Sequence, residues 1–342
     1  MWFSTDMGID LGTATILVHL RGKGIVLNEP SVVALDHNSR NVMAVGEEAY
    51  KMLGRTPGNI VAVRPLSDGV IADFDTTETM LKHYVSKVGA KRRLFRPRVV
   101  VCIPAGTTSV EQKAVIEAIT RTGAREAYLV EEPRAAAMGA GLDIFKPSGS
   151  MVVDIGGGTC DIAVISMGDV VESASVRIGG NKFDEAISRY IKNEYNVLVG
   201  ERAAEELKKE IGSAHPEGRQ LDMEIKGRDL VSGLPRAVSV SSAQVLKAME
   251  EPLSEILQGV KQVLERTPPE LAGDIIQKGA VLTGGGAMLD SLSRFFSEET
   301  GVAFYLAEDP IGSVVMGTSM VLENLEYMAP TLISNKKIAA SF

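Results

Sequence analysis

Met7-Gly8-Ile9-Asp10-Leu11-Gly12-Thr13-Ala14-Thr15, near the start of the chain, has a counterpart in its middle: Val152-Val153-Asp154-Ile155-Gly156-Gly157-Gly158-Thr159. Each copy reads as an apolar strand ending on Asp, a Gly-rich turn carrying Thr, and a second apolar strand (16–20 and 161–165). Each then passes a short polar turn with Gly, at 21–24 and 167–169, into a third apolar stretch. Gly in such a turn allows positive φ and close approach of the backbone to a ligand. Successive N–H groups and a Thr hydroxyl then point at phosphate oxygens. An Asp at the strand end supplies a hard oxygen of the kind that holds Mg²⁺, often through its waters. Taken singly, Asp10 or Asp154 reads as a turn cap. Two matched copies predict two hairpins that face each other across a cleft and grip one polyphosphate. No Gly-x4-Gly-Lys-Ser/Thr occurs, so this is not a Walker A loop.

Working outward, strand-like runs recur at 31–35, 42–45, 98–103, 127–130, 151–154, 170–176 and 280–282, with helices between them. Thr108-x-x-Glu111 is a capping box that opens a helix with Val115, Ala118 and Ile119 on one face; Gly123 ends it. Phe183, Ile187, Tyr190 and Ile191 share a face of the helix after Gly179-Gly180. Val245, Met249, Leu253, Ile256, Val260 and Leu264 form a long stripe closed by Pro268-Pro269. Ile311, Val315, Val321, Leu322 and Leu325 suggest a last helix. Alternating strands and helices indicate α/β layers. Pro147-Ser148-Gly149 marks the boundary between two domains, and 212–235 reads as a small β-containing insertion or its loops.

The 342 residues suffice for two domains with real cores. A net charge of −8 argues against a general nucleic-acid binder. The two Cys, Cys102 and Cys160, sit in apolar runs and read as buried reduced thiols, which fits a reducing cytoplasm. Cys160 abuts the second Gly turn, but no partner His is nearby for a catalytic thiol. The four His are scattered without zinc spacing. Met1-Trp2-Phe3 is followed at once by Ser4-Thr5-Asp6, so no signal peptide is expected, and no apolar run approaches a bilayer span.

Further constellations point toward the cleft. Val130-Glu131-Glu132-Pro133 ends a strand and leads into the small-residue helix 135–141, where another backbone can pack closely. A carboxylate there can orient or deprotonate a water facing a γ-phosphate; the alternative is an acid pair favoured by the helix dipole. Leu282-Thr283-Gly284-Gly285-Gly286-Ala287 is a third Gly-rich turn, able to seat a flat base or a phosphate, or else a plain strand-to-helix connection. Glu205, Glu206, Leu207, Lys208 and Lys209 read either as a solvated helix face with ion pairs or as nucleoside contacts, with Glu205 on the ribose and Lys208 on the adenine side. Lys91-Arg92-Arg93-Leu94-Phe95-Arg96-Pro97-Arg98 is the one strong basic cluster. It is either a solvated loop or a site where Leu94 and Phe95 insert into an anionic lipid surface, with Trp2 and Phe3 as a weaker second contact.

These residues resemble the actin–Hsp70–sugar-kinase superfamily, and within it the bacterial actins of the MreB/Mbl family. The resemblance runs through nearly the whole chain. It is carried by 8–14, Gly24 to Ser31, Asp68-Gly69-Val70-Ile71-Ala72-Asp73, 131–133, 154–159, Ile178-Gly179-Gly180, 228–235 and Thr267-Pro268-Pro269-Glu270-Leu271. Residues 144–149 and 162–169 look more like Mbl than like other members. The resemblance implies an α/β, actin-like ATPase fold of two duplicated α/β domains, each with a smaller inserted subdomain, around a nucleotide cleft. Domain I is then 1–148 (core 1–32 and 68–148, small subdomain about 33–67). Domain II is 149–329 (core 149–185 and 247–329, small subdomain about 186–246), and 330–342 form a C-terminal tail. It implies ATP and Mg²⁺ as cofactors. Gly12, Thr13, Ala14 and Thr15 fall on the first phosphate loop, and Gly156, Gly157, Gly158 and Thr159 on the second. Glu205, Glu206, Leu207, Lys208, Gly284, Gly285, Gly286 and Ala287 fall on the nucleoside. Asp10 and Asp154 would hold Mg²⁺ through water. Glu132 falls on the water-activating position, with Glu131 as the fallback and Thr159 counted among the catalytic groups. Leu94 and Phe95 match a membrane-inserting loop.

The implied output is slow ATP hydrolysis coupled to self-assembly. Antiparallel double filaments would lie on the inner face of the cytoplasmic membrane and organise peptidoglycan synthesis to set rod shape. The implied partners are further copies of the chain, paralogous bacterial actins and the elongation machinery of MreC-, MreD- and RodZ-type proteins, with no nucleic acid. The chain departs from the family pattern at Thr15 (usually Asn) and Cys160 (usually Thr), and Arg134 adds a charge beside the acid pair. A small-molecule kinase of the superfamily is the alternative, but no sugar or acid pocket motif is visible. An Hsp70-type chaperone would need a peptide-binding region after the core, and an FtsA-type actin a C-terminal amphipathic helix; 336–342 is too short for one.

Overall fold

The repeat folds as two like sheets. A computed structural model describes residues 6–88 and 96–334. In the first sheet, Met7–Leu11, Thr15–Leu20 and Gly24–Pro30 form an antiparallel meander, and Met7–Leu11 pairs in parallel with Arg98–Ile103, itself parallel to Glu126–Glu131. In the second, Ser150–Ile155, Cys160–Ser166 and Asp169–Val176 form the same meander, extended in parallel by Ala280–Thr283 and Phe304–Leu306. Each Asp therefore ends the meander's first strand beside a parallel neighbour, at the carboxyl edge where open α/β sheets bind ligands.

Alternation along these strands assigns each face. Val99, Val101 and Ile103 enter the first lobe's core with Met7, Ile9, Leu81 and Ile119. Val100 and Cys102 point the other way, into a central cluster that also holds Val152, Ala163 and Ile165 of the second sheet. Met151, Val153 and Ile155 enter the second lobe's core with Phe183, Ile256 and Phe296. Two helices cross in the central cluster, Glu132–Gly139 and Ser313–Glu323. A Cβ on Gly139 would lie 1.7 Å from the Ser313 carbonyl oxygen, and one on Gly317 would lie 1.9 Å from that of Ala135. The run of small residues thus lets two backbones touch, and this crossing joins the lobes. Gly317→Val should lower unfolding stability by about 3 kcal/mol, because neither backbone can retreat from a packed core. A chemical melt as steep and as late as that of the wild type would contradict this.

Each lobe carries a small sheet. Val33–Asp36 pairs with both Val42–Val45 and Ile60–Val63, covered by helix Glu47–Met52. Asp222–Asp229 pairs with Pro235–Ser241 and with Val197–Leu198, next to helix Glu201–Ile211.

Several boundaries differ from the expectation. The run at 31–35 starts its strand at Val33, because the Ser31 hydroxyl donates to the Gly12 carbonyl at 2.6 Å and the chain turns there. The stretch 212–235 is loop to residue 221 and then a hairpin whose second strand runs on to Ser241. The last helix begins at Ser313, after Ile311, and ends at Glu323; Leu325–Met328 is a separate turn. Pro269 opens a further helix, Pro269–Lys278, at a position where its missing N–H costs nothing. Beyond residue 330 the chain returns to the first sheet, where Ile333 and Ser334 pair with Leu129 and Tyr128. The Thr108–Glu111 capping box forms as read, and Ser241 with Gln244 makes a second one.

Candidate functional site

The two Gly turns meet. Gly156 N–H donates to the Thr159 carbonyl at 2.9 Å and closes the second turn. A Cβ on Gly157 would sit 2.4 Å from the Ala14 Cβ, and one on Gly158 would sit 2.6 Å from Thr13 Oγ1. Thr13 Oγ1 also accepts the Gly69 N–H at 3.0 Å. Gly at 157 and 158 is therefore what allows one lobe's turn to rest against the other's. The carbonyls of Gly156 and Gly157 accept from the N–H groups of Gly180 and Asn181, both at 2.9 Å, which fixes the second turn to the start of helix Gly180–Tyr195.

Above this contact lies a cavity of about 520 Å³. Gly12, Ala14 and Thr15 line it from one side and Gly156 and Gly157 from the other. The third turn, Gly284–Gly286, closes a further wall. Gly284 has φ of 84°, and a Cβ there would lie 2.3 Å from the Ile155 carbonyl oxygen, so this turn needs Gly for both conformation and space. Glu205, Lys208 and Lys209 reach the cavity from helix Glu201–Ile211. Lys208 is held in place: its Nζ donates to Gly180 O and to Asp184, each at 2.8 Å.

Three carboxylates line the deep end, Asp10, Asp154 and Glu132, with Asp161 buried behind them. Burial pushes Asp10 up to about 7 against a weak thiol contact from Cys102, 3.8 Å away. Burial and then the charges of Asp10 and Asp161 raise Asp154 well above the carboxylate range. Burial, followed by Asp161, Asp154 and Asp10, does the same to Glu132. Asp161 rises to about 6 by burial although it accepts the Ala105 N–H at 2.9 Å. Asp154 Oδ2 is buried without a hydrogen-bond partner. A pocket of crowded, underpaired carboxylates fits a divalent cation, which would relieve the repulsion and satisfy that oxygen. Among the described residues no three acidic, His or Cys side chains converge as a direct ligand set.

Not every expected residue reaches the cavity. Leu207 is wholly buried in the second lobe's core and Glu206 is exposed on the outer side, since positions 205, 208 and 209 share one helix face and 206 and 207 do not. Ala287 also faces that core. Thr13 and Gly158 form the contact between turns. Thr159 is buried beside Asp161, and Glu131 ends its strand outside the lining. Cys160 lies in the core, where burial raises its thiol well above the usual range and keeps it protonated. Leu94 and Phe95 lie outside the described residues, as do Trp2 and Phe3. The sequence reading missed Asn181, Asp184, Arg219, Met288, Asp290 and Ile311 as lining groups. Of these, Asn181 and Asp184 were discernible, because they follow Gly179-Gly180 at helical spacing.

Asp184 also carries a pH signature. Burial pushes its carboxyl up to about 6 despite Lys208. Between pH about 4 and 6 the folded protein keeps a proton that the unfolded chain has released, so this group's contribution to stability falls as pH rises through that window and is constant above it. Measured against Asp184→Asn, the wild type should lose about 3 kcal/mol across the window. Urea midpoints that stay parallel for the two proteins would contradict the assignment.

A duplicated meander-and-crossover lobe, closed on itself around a carboxylate-walled cleft by facing Gly turns, defines an actin-like fold of the nucleotide-binding class. The family described as "MreB/Mbl protein" matches residues 4–330. The chain is 55% identical over 332 residues to the cell shape-determining protein Mbl of Bacillus subtilis, covering 97% of this chain and all of that one. It is 50% identical over 339 residues to the cell shape-determining protein MreB of Escherichia coli K12, covering 98% of each. Among solved structures, MreB 5 of Spiroplasma citri bound to AMPPNP superposes with a TM-score of 0.92 at 37% identity, covering 97% of this chain and 99% of that one. The chain belongs to the MreB/Mbl family.

Proposed function

We propose that this protein is a cytoskeletal, actin-like ATPase. It binds ATP with Mg²⁺ between its lobes, hydrolyses it slowly, and assembles into membrane-associated filaments that organise peptidoglycan synthesis and determine rod shape. The observation that carries this reading is the convergence of two opposed Gly turns, an unsatisfied Asp154 oxygen and Glu132 on one cavity. Relatives that are cell-shape proteins, and a neighbour crystallised with AMPPNP, support it over a small-molecule kinase.

The residues act as follows. N–H groups of Gly12, Ala14, Thr15 and Gly157, which line the cavity, receive the phosphates, and the contact between the turns sets their separation. Asp10 and Asp154 would hold the hydrated cation from opposite lobes, and Mg²⁺ there would supply neutralisation of the phosphate charge. Glu132 lies on the cavity wall at the start of its helix, placed to orient or deprotonate a water facing the terminal phosphate. Lys208 and Gly284–Gly286 seat the nucleoside. Because a head-to-tail contact that does not close on itself yields an open filament, cleft closure around ATP can favour assembly and hydrolysis can reset it.

No helix of the described residues is long and apolar enough to cross a membrane. On the sequence of their basic segment, attachment to the inner face of the plasma membrane is assigned to Leu94 and Phe95, with MreC-, MreD- and RodZ-type proteins and paralogous actins as partners. Replacing both residues with Ser should reduce cosedimentation with anionic vesicles roughly tenfold, given the apolar area withdrawn. Unchanged binding would transfer the role to Trp2 and Phe3. Electron microscopy of the purified protein with Mg-ATP on anionic lipid tests the whole reading. Paired filaments are expected, whereas particles that stay single while transferring phosphate to a sugar or acid would revive the kinase.

A further inference from the structure

The lobes touch at a second place, on the far side of the cavity from the Gly turns. Helix Glu47–Met52 and the end of strand Ile60–Val63 belong to the first lobe's small sheet, and helix Glu201–Ile211 belongs to the second lobe. Between them the Tyr50 hydroxyl donates to Glu205 Oε2. The Arg64 guanidinium pairs with Glu201 Oε1, its Nε at 3.2 Å. The Arg202 guanidinium lies over the Tyr50 ring, 5.3 Å from its centroid, with a buried nitrogen that has no hydrogen-bond partner. Glu205 and Lys209 wall the nucleotide cavity and also a second, outer cavity of about 620 Å³ lined by Tyr50, Gly54, Arg55 and Glu201. The Tyr50–Glu205 bond thus stands at the partition between the inner cavity and the outside.

We infer that Tyr50 and Arg64 form a clasp that gates nucleotide exchange, by tying Glu205 and Glu201 across the mouth of the cleft. This rests on the cavity being the nucleotide site. A nucleoside seated against Glu205, Lys208 and Gly284–Gly286 leaves only after the clasp parts. The two bonds are unequal. Tyr50–Glu205 is partly buried and charge-assisted, which makes it the stronger. Arg64–Glu201 joins a largely covered guanidinium to a half-exposed carboxylate and contributes less. The clasp also reaches the phosphate end. Its helix carries Lys208, Lys208 grips Gly180 and Asp184, and Gly180 is bonded to the second Gly turn. Loss of the phosphates can therefore loosen the mouth from below.

The test is stopped-flow release of methylanthraniloyl-ATP chased with unlabelled ATP, alongside single-turnover hydrolysis of bound ATP. Tyr50→Phe, which keeps the ring and its cation contact, combined with Arg64→Ala should speed release roughly tenfold. The single-turnover rate should stay at the wild-type value, because neither residue touches the phosphates. Tyr50→Phe with Glu201→Gln should give the same acceleration and serves if the first pair folds poorly. Pairing Arg64→Glu with Glu201→Arg in an otherwise wild-type chain should keep release slow. Release at the wild-type rate from both double variants overturns the clasp and leaves the cavity assignment standing. A wild-type protein that does not bind the labelled nucleotide overturns the cavity assignment, and the clasp with it.

Discussion

Replacing Glu132 with Ala should leave ATP binding nearly intact and slow phosphate release by roughly 10²–10⁴, the range that a positioned general base supplies. Glu132 lies on the cavity wall at the first turn of its helix and, in the proposed arrangement, makes no contact to the ground-state phosphates. Burial first, and then repulsion by its neighbours Asp161, Asp154 and Asp10, disfavour its charged form. The same repulsion means that Glu132→Gln should not destabilise the fold, because one member of a crowded acidic set becomes neutral. Phosphate release measured with a coupled assay, beside equilibrium binding of a labelled nucleotide, separates the two effects. Equal hydrolysis by the Ala variant would remove Glu132 from this role and move attention to Glu131, which ends the preceding strand.

Asp154→Ala should weaken the apparent affinity for Mg²⁺ in the presence of ATP by roughly 10–100-fold, as losing an outer-sphere metal partner does. The nucleotide-free protein should melt no earlier than wild type, and the combination is diagnostic. Asp154 is almost fully buried, its Oδ2 has no partner, and its charged form is opposed by Asp10 and Asp161. A cation held in the filled site would offset the unfavourable electrostatics of a carboxylate there. A structural Asp would show the reverse pattern, with unchanged Mg²⁺ dependence and a lower melting temperature. A Mg²⁺ titration of hydrolysis together with a thermal melt decides between them.

The legible part of this molecule was its symmetry. Asp10 and Asp154, with their Gly turns and flanking apolar runs, carry both sheet meanders and the meeting of the turns, because strand alternation and turn chemistry are local. The third turn at 284–286 and the small-residue helix at 135–139 were legible for the same reason, since only Gly and Ala permit such close backbone approach. Helical phase alone would have separated Glu205 and Lys208 from Glu206 and Leu207. The clasp was not legible. Tyr50 and Glu205, or Arg64 and Glu201, are paired by tertiary closure across the cleft, and no spacing in the chain announces such a pair. Arg219 likewise reaches the cavity on a loop held by its hydrogen bonds to Lys209, Glu210 and Asp290, a geometry set by the fold. The hairpin at 222–241 was only half visible, because its apolar alternation is short, Met223 and Ile225 on one strand and Val238 and Val240 on the other, and the strands are otherwise largely exposed.

One structure tests the central claim most directly: this protein crystallised with Mg²⁺ and AMPPNP. The account predicts a single triphosphate clasped between residues 12–15 and 156–159, Mg²⁺ with Asp10 and Asp154 in its hydration shell, and a water between Glu132 and the terminal phosphate. A nucleotide bound by one turn only, with the other facing away from the phosphates, would contradict it.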